Sequence, residues 1–231
     1  MVTIDYFSDV LCIWAYSGQV RVDELEKHFG DKIALRYRFI PIFGAASRSI
    51  SKQWSDKGGF DGFNNHLMSV ASGWSHINCS EQLWKQCRPA TSISAHAILK
   101  ATWLYLEQQG ELLKQGANQE QTLFETLMWN IRRAFFEQAR DISHFSELRK
   151  LVDELGIPWD DVYAFIEDGQ AHAELFTDQE LQKKYCVQGS PSFVLNEGRQ
   201  VLYGNVGYRI VEANIAELLN REKPLEGASW C

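Results

Sequence analysis

The sequence predicts an α/β fold in which a small β-sheet is interrupted by an all-helical insertion. Three observations support this prediction. The first 41 residues pass from an alternating apolar pattern to a helical pattern and back, residues from about 62 to 185 carry helical patterns only, and alternation returns from residue 192. The predicted element order is therefore β-α-β, a helical block, and β-β-α.

The N-terminal β-α-β unit has clear boundaries in the sequence. Apolar and polar residues alternate over 2–7, which predicts a strand, and a helical pattern follows over Ile13–Phe29. Gly30 stands where a helix C-cap is expected, and a second alternation over Ile33–Phe39 is ended by Pro41. This unit predicts two strands joined by one helix.

The remaining elements follow from the same patterns. Residues 44–62 are polar and contain Gly and Ser, so they are expected to form a connection rather than a helix. Residues 192–195 form a short apolar strand, 196–199 a turn and 200–203 the second arm of a hairpin, and apolar spacing then predicts a closing helix. Apolar faces at helical spacing begin near residues 92, 123, 148, 158 and 171.

Composition narrows the classes of function. The 231 residues are 45% hydrophobic, 13% aromatic and 23% charged, which is typical of a globular protein. The formal charge is −7 and no basic run interleaves with aromatic residues, so nucleic acid is not an expected partner. No apolar stretch reaches the length of a membrane span, and the N-terminus lacks a basic and apolar leader, so a cytoplasmic protein without a membrane partner is expected.

The cysteines do not form a recognisable scaffold. Their number is odd, there is no C-x-x-C pair, and no zinc-type pair of pairs is present, so neither a disulfide framework nor a metal site is predicted. Cys79 and Cys87, with His76 nearby, fit no standard ligand spacing. The five cysteines are Cys12, Cys79, Cys87, Cys186 and Cys231.

Cys12 is the candidate nucleophile because it follows the first strand and opens the first helix. The free N–H groups and the positive end of the helix dipole favour a thiolate there, and such cysteines have pKa values of about 3.5 to 7.5. The residue could equally be a buried, inert cysteine, since cysteine is among the most buried residue types.

Pro191 opens a strand that otherwise reads as central. Proline lacks the N–H group that a central strand needs, and a cis Ser190–Pro191 bond would account for its position. The alternative is an ordinary trans proline at a strand start.

Taken together, these motifs resemble the DsbA-like branch of the thioredoxin fold. The segment YFSDVLCIWAY at 6–16 resembles the active-site segment of FrnE-like and DsbA-like oxidoreductases, and YCVQGSPSFV at 185–194 is similar to their cis-proline loop. RPAT at 88–91 resembles the start of the family's central insert helix. The resemblance implies a discontinuous thioredoxin-like domain over 1–60 and 178–231 and a helical insertion over 61–177.

One departure from the family pattern affects the expected chemistry. Position 15, where a C-x-x-C protein has its resolving cysteine, is Ala15, so the motif is C-x-x-A. The resemblance then implies a monothiol thiol–disulfide oxidoreductase, with glutathione as the resolving thiol and a disulfide-containing or glutathionylated protein as partner. No tightly bound cofactor is expected.

Two alternatives stay open at this point. Kappa-class glutathione transferases and 2-hydroxychromene-2-carboxylate isomerases share the plan and bind glutathione with a small apolar substrate, but they usually carry Ser where Cys12 stands. The third hypothesis is a non-catalytic peptide-binding module in which Ala15 marks lost redox cycling.

Several residues are candidates for substrate or glutathione binding. By the resemblance, Ser190 beside Pro191 would pair its backbone with a peptide or with glutathione, and Trp14 and Ala15 would line the groove. Asn205 and Arg209 lie in a glycine-containing loop where a carboxylate could bind a helix N-terminus; the alternative is an ordinary turn. His96 either faces the cleft or lies on a polar face.

Overall fold

The sheet has four strands in the spatial order β2-β1-β3-β4. The computed structural model describes residues 1–113, 115–116 and 121–220. The strands are β1 (Val2–Ser8), β2 (Ile33–Phe39), β3 (Ser192–Leu195) and β4 (Gln200–Tyr203). β1 pairs in parallel with β2 and antiparallel with β3, and β3 pairs antiparallel with β4. The predicted sheet with its β-α-β and β-β-α halves is confirmed.

Two helices belong to the sheet halves. The first, α1 (Ile13–Phe29), has Gly30 as its C-cap with a φ of 52°, as the sequence predicts. The last helix, α9 (Tyr208–Asn220), packs against α1 and β1. Their apolar faces meet those of the strands, so this part of the molecule has a core of its own. That core contains Val2, Ile4, Tyr6, Val22, Leu25, Phe29, Ile33, Phe193, Leu195, Val211, Ile215 and Leu218.

The residues between β2 and β3 contain the other helices. One expectation was wrong here: residues 44–62 are not an irregular connection, because Ala46 and Ile50 lie one turn apart and are both buried, which supports a short helix despite the polar composition. The helices are α2 (Ala46–Gln53), α3 (Gly59–Ala71), α4 (Ile93–Gln109), α5 (Leu123–Phe136), α6 (Phe145–Asp153), α7 (Trp159–Glu167) and α8 (Gln170–Lys184).

Helix α4 is the centre of the helical block. It packs against α5, α6, α7 and α8, and small buried residues such as Ala97 and Ala101 allow these close approaches. Its N-terminal end reaches the turn after β1, since the Val10 N–H donates to His96 Nε2 at 3.2 Å. The insertion therefore contributes side chains to the end of the sheet that carries Cys12.

Helix α8 connects the block back to the sheet. The Phe39 N–H donates to Asp178 Oδ2 at 2.8 Å, so the helix is fixed to the end of β2. The predicted domain boundaries near residues 60 and 178 fall inside α3 and α8, and residues 221–231 of the second segment lie outside the described residues.

Candidate functional site

Cys12 lies in the tight turn that leads from β1 into α1. It is the N-cap of α1 with extended backbone angles (φ −83°, ψ 116°), and its N–H donates to the Asp9 carbonyl oxygen at 3.1 Å. The side chain is almost enclosed, with 6% of the residue exposed. The helix start that the sequence predicts is therefore present, but the thiol is buried.

The loop before β3 closes over this thiol. The Ser190–Pro191 peptide bond is cis, the geometry expected from a proline that opens a central strand. Cys12 Sγ donates to the Ser190 carbonyl oxygen at 3.3 Å, and the Asp9 N–H donates to Ser190 Oγ at 2.9 Å. Two segments about 180 residues apart in the chain therefore form one site.

The structure corrects the expected ionisation of Cys12. Burial raises the pKa of the thiol above its usual value, and the nearby Asp9 carboxylate adds to the rise. Hydrogen bonds with the Ser190 side chain and with the backbone of Ala15 and Trp14 lower the pKa of the thiol but do not reverse this rise. This direction is opposite to the lowered pKa expected of a cysteine at a helix start and agrees with the alternative of a buried cysteine, because burial has the largest effect on this thiol.

Asp9 organises the turn around Cys12. Its carboxylate is fully buried and accepts hydrogen bonds from the Leu11 N–H at 2.9 Å, the Phe43 N–H at 2.8 Å and Ser92 Oγ at 2.8 Å. Burial raises its pKa from 3.8 to about 6, while these three hydrogen bonds lower it. One carboxylate thus joins the turn itself, the loop after β2 and the start of α4.

His96 is buried behind the same turn and does not face a solvent-filled cleft. Because the Val10 N–H donates to its Nε2, the neutral ring carries its proton on Nδ1. Burial and the charge of Arg132 lower the pKa of His96 from 6.5 to about 3. The 3.6 Å separation between His96 Nε2 and Asp9 Oδ1 is therefore not an ion pair at neutral pH.

Arg132 reaches the site from α5 and is fully buried. Nη1 donates to Gln19 Oε1 at 2.6 Å and lies 3.5 Å from the Ala15 carbonyl oxygen, and Nη2 donates to Ser8 Oγ at 3.0 Å. Ser8 and Ala15 stand on either side of Cys12 in the chain. The guanidinium therefore holds both backbone segments that carry the thiol.

Comparison with known proteins agrees with this architecture. Residues 108–216 match the family model of the DSBA-like thioredoxin domain. A probable DsbA oxidoreductase from Streptomyces coelicolor superposes with a TM-score of 0.72 at 17% identity, over 100% of this chain and 95% of the other. This is a DsbA-like thioredoxin fold. The fold that the sequence resemblance implies is confirmed.

Other solved structures that share this DsbA-like fold are named for different activities. The cytosolic disulfide reductase DsbM from Pseudomonas aeruginosa has a TM-score of 0.66 at 19% identity, over 94% of this chain and 99% of that chain, and it has also been solved with GSH. A 2-hydroxychromene-2-carboxylate isomerase has a TM-score of 0.56 at 14% identity, over 95% of this chain and 97% of that chain. No curated protein sequence matches the chain.

Exposed apolar side chains lie near the turn that carries Cys12, or next in the chain to residues that bind Asp9. Trp14 is 36% exposed and meets Trp74 edge to face, with ring centroids 5.2 Å apart. Ile42 precedes Phe43 and Ile93 follows Ser92, two of the residues that donate to the Asp9 carboxylate, and both isoleucines are exposed. A peptide that approached Cys12 would meet apolar surface at these positions.

The remaining predicted site residues are placed differently. Ala15 is fully buried, so its methyl group packs inside the protein rather than facing a ligand. Asn205 is exposed and Oδ1 accepts from Arg21 Nη1, and Arg209 is exposed. No hydrogen bond among the described residues connects Asn205 or Arg209 to Cys12 or to Ser190.

The other cysteines of the DsbA-like fold lie apart from the cis-proline contact. Burial is the main cause that raises the pKa of Cys79 to about 11 and of Cys87 to about 12. Cys186 is an exposed free thiol, and Cys231 lies outside the described residues. Within the described ranges, no group of three His, Cys, Asp or Glu side chains could hold a metal ion, and no helix is long and apolar enough to cross a bilayer.

Sequence reasoning missed three contributors to the site. The sequence patterns predict no role in the site for Asp9, Ser92 or Arg132. Asp9 could have been singled out, since an acidic side chain three residues before a helix-opening cysteine can bind the turn's own N–H groups. Nothing local to Ser92 or Arg132 indicates their partners.

Proposed function

We propose that this protein catalyses thiol–disulfide exchange through the single thiol of Cys12, with glutathione as the resolving thiol. The observation that carries the proposal is the contact of Cys12 Sγ with the Ser190 carbonyl oxygen at 3.3 Å, beside a cis proline. A second cysteine is absent at position 15, where Ala15 stands. An external thiol is therefore required to complete a cycle.

The reaction balances with two thiol exchanges. The Cys12 thiolate attacks the glutathione sulfur of a mixed disulfide, the substrate leaves as a thiolate that takes a proton, and a Cys12–glutathione disulfide forms. A second glutathione thiolate then attacks that disulfide, releases oxidised glutathione and restores the Cys12 thiolate. In sum, the mixed disulfide is reduced to the substrate thiol, one glutathione thiol is oxidised, and oxidised glutathione is released.

The structure supports an extended substrate more than an enclosed small one. The residue before a cis proline has backbone groups that can pair with an extended peptide, and Trp14, Ile42 and Ile93 supply apolar surface beside it. A cavity of about 460 Å³ lies instead between β2, α4 and α5, lined by Tyr37 and Phe124 among others and not by Cys12.

The raised pKa of Cys12 sets an expectation for the rate. Most of the thiol is protonated at neutral pH, so the rate of Cys12 alkylation and of exchange should rise with pH through and above neutrality. A solution titration of Cys12 by alkylation rate tests this directly. An apparent pKa near neutrality or lower would contradict the buried arrangement described above.

The deciding experiment is reduction of a glutathionylated peptide in the presence of glutathione and glutathione reductase. The wild-type protein should turn over, Cys12→Ser should lose at least about 100-fold, and Cys186→Ser, which removes an exposed thiol elsewhere, should match the wild type. Mass spectrometry should detect glutathione on Cys12 during turnover.

The same experiment separates the alternatives. Activity that survives Cys12→Ser would contradict the proposal and favour a glutathione-dependent transferase or isomerase, in which glutathione itself is the reacting thiol. No turnover and no mixed disulfide at Cys12 would favour a binding module.

A gain-of-function variant gives an independent test. Ala15→Cys restores a C-x-x-C motif at a position where the Ala15 N–H donates to the Cys12 carbonyl oxygen at 3.1 Å. We expect this variant to form an intramolecular disulfide and to reduce a protein disulfide without glutathione, whereas Ser17→Cys, at a different spacing, should not.

A further inference from the structure

Arg132 is unusual among the buried cations of this protein because it has no carboxylate partner. It is fully buried, and the groups it contacts are neutral: the Gln19 amide, the Ser8 hydroxyl and the Ala15 carbonyl. Its Nε atom is buried without a hydrogen-bond partner. No carboxylate oxygen in the described part of the chain forms an ion pair with it. An unpaired buried guanidinium is costly for folding.

The other buried cation among the described residues, Lys100, is paired, and so is the partly buried Arg38. Lys100 Nζ lies 2.8 Å from Asp178 Oδ2, and Arg38 lies 2.8 Å from Asp5 Oδ1 and 3.3 Å from Asp178 Oδ1. The protein therefore compensates buried positive charge elsewhere by direct contact. Arg132 lacks a carboxylate partner among the described residues, and the site that its guanidinium contacts explains this difference.

The chemistry of Cys12 supplies that reason. Exchange needs the Cys12 thiolate, and at neutral pH the thiolate would form beside an Asp9 carboxylate, which places two negative charges in one buried turn. His96 is neutral and cannot compensate them. Arg132 is the cation whose charge acts on Asp9.

The position of the guanidinium fits this role. It binds Ser8, which precedes Asp9, and it lies against the carbonyl of Ala15, whose own N–H donates to the Cys12 carbonyl oxygen. Less than one helical turn therefore separates the contacted carbonyl from Cys12. The charge of Arg132 lowers the pKa of Asp9, and the Asp9 carboxylate raises the pKa of the Cys12 thiol, so Asp9 links the guanidinium to the thiol.

We propose that Arg132 is a positioning residue for Cys12: it fixes the two backbone segments that flank the thiol and supplies the positive charge against which the buried thiolate forms. This inference rests on the proposed thiol–disulfide exchange. It assigns a residue of the helical insertion to the reaction on the sheet. The insertion would then contribute to the chemistry as well as cover the sheet.

The titratable groups on which Arg132 acts come from several elements packed around the turn. β1 contributes Tyr6, the turn Asp9, α1 Asp23 and α4 His96, on which the charge of Lys100 also acts. The charge of Arg132 acts on Tyr6, Asp9, Asp23 and His96 alike. Replacing Arg132 by a neutral residue should therefore change the pKa of more than one group.

The test is a pair of titrations on the full-length protein. Cys12 is followed by the rate of iodoacetamide alkylation between pH 5 and 11, read by mass spectrometry, and Asp9 by carboxyl carbon NMR. In Arg132→Met we expect the pKa of each group to rise by about one unit, the size typical of losing a nearby opposite charge. Circular dichroism and the melting temperature establish that the variant is folded.

Two further variants make the result specific. Arg133→Gln removes the same charge from the next residue, which is half exposed and paired with Glu137, and should move neither titration by more than about 0.3 units. Arg132→Lys keeps the charge with a different shape and should keep both pKa values within about half a unit of the wild type. If Arg132→Met does not fold, the Arg132→Lys variant still provides a test.

Two results would overturn the inference. One is a folded Arg132→Met protein with both titrations unchanged. The other is a folded Arg132→Lys protein in which both pKa values rise by a full unit although the charge is still present. Because alkylation needs no turnover, failure of the peptide-reduction assay with shifted titrations would refute the proposed function and leave the role of Arg132 intact.

Discussion

Two buried charge clusters lie one helical turn apart along α4, and they are built in opposite ways. The paired cluster (Asp5, Arg38, Lys100 and Asp178) matches each cation with a carboxylate at 2.8 to 3.3 Å and joins α4 and α8 to the sheet. Its protonation states are held by direct contact.

The site cluster (Asp9, Cys12, His96 and Arg132) has neutral or shifted groups and a cation without a carboxylate. Asp9 and Cys12 have raised pKa values, and His96 has a lowered one. The comparison shows that burial alone does not determine the protonation state of an ionisable side chain. Burial also raises the pKa of Asp178 and lowers that of Lys100, but the direct contact between these two groups opposes both shifts, whereas the site cluster has no such contact between a cation and a carboxylate among the described residues.

The largest expected effect concerns His96 and the decrease in the free energy of unfolding at acid pH. Its folded-state pKa of about 3 lies below the ordinary 6.5, so its contribution is fully present above pH 6.5 and is lost as pH falls towards 3. In His96→Gln, whose amide oxygen can still accept from Val10, that loss is absent. The free energy of unfolding of the wild type should therefore fall by up to about 5 kcal/mol more than that of the variant.

Urea unfolding at a series of pH values measures this difference. His172→Gln replaces an exposed histidine on α8 and is the matched control. Parallel pH dependence of the wild type and His96→Gln would show that His96 is not buried as a neutral ring.

The next effect tests the paired cluster. Asp178→Ala removes the shared partner of Lys100 and Arg38 and the acceptor of the Phe39 N–H, so the free energy of unfolding should fall by about 3 to 5 kcal/mol. The alkylation pKa of Cys12 should stay unchanged, because the two clusters use different partners. A destabilisation below about 1 kcal/mol would refute the pairing.

A smaller effect of opposite sign belongs to Asp9. Its folded-state pKa of about 6 lies above the ordinary 3.8, so wild-type stability should decrease as pH rises from 3.8 to 6, by about 3 kcal/mol from this group. Asp9→Asn does not titrate and should lack this term. Unfolding free energies of both proteins between pH 4 and 7 measure it; a constant difference across that range would contradict the raised pKa.

The smallest effect lies at the rim of the paired cluster. Glu174 is a third exposed and its Oε2 is 4.0 Å from Lys100 Nζ, so Glu174→Gln should cost less than about 1 kcal/mol. This variant is also the matched control for Asp178→Ala. An equal loss in both variants would mean that the cluster is not centred on Asp178.

Local sequence patterns predicted the sheet halves well. Alternation over β1 and β2 and the hairpin of β3 and β4 reflect which side chains face the core, and that signal survives in a single chain. The pairing of Cys12 with the segment before Pro191 was also predicted, since helix starts and strand-opening prolines have local signatures. Helix α2 was missed because only two of its side chains are buried.

The ionisation of the site was not predictable in the same way. A cysteine at a helix start suggests a lowered pKa, but the effect that prevails, burial, depends on a loop some 180 residues away and on helices α4 and α5. The partners of Asp9 come from four separate parts of the chain. Only folding brings them within hydrogen-bond distance.

The sequence by itself determined the order of elements, the thiol at the first helix start and the absence of a resolving cysteine at position 15, because periodicity and motif spacing are local properties. The tertiary structure decided the protonation of Cys12, the neutral state of His96 and the unpaired charge of Arg132. These follow from hydration and from charges across the core, and both are set by which distant side chains the fold brings together.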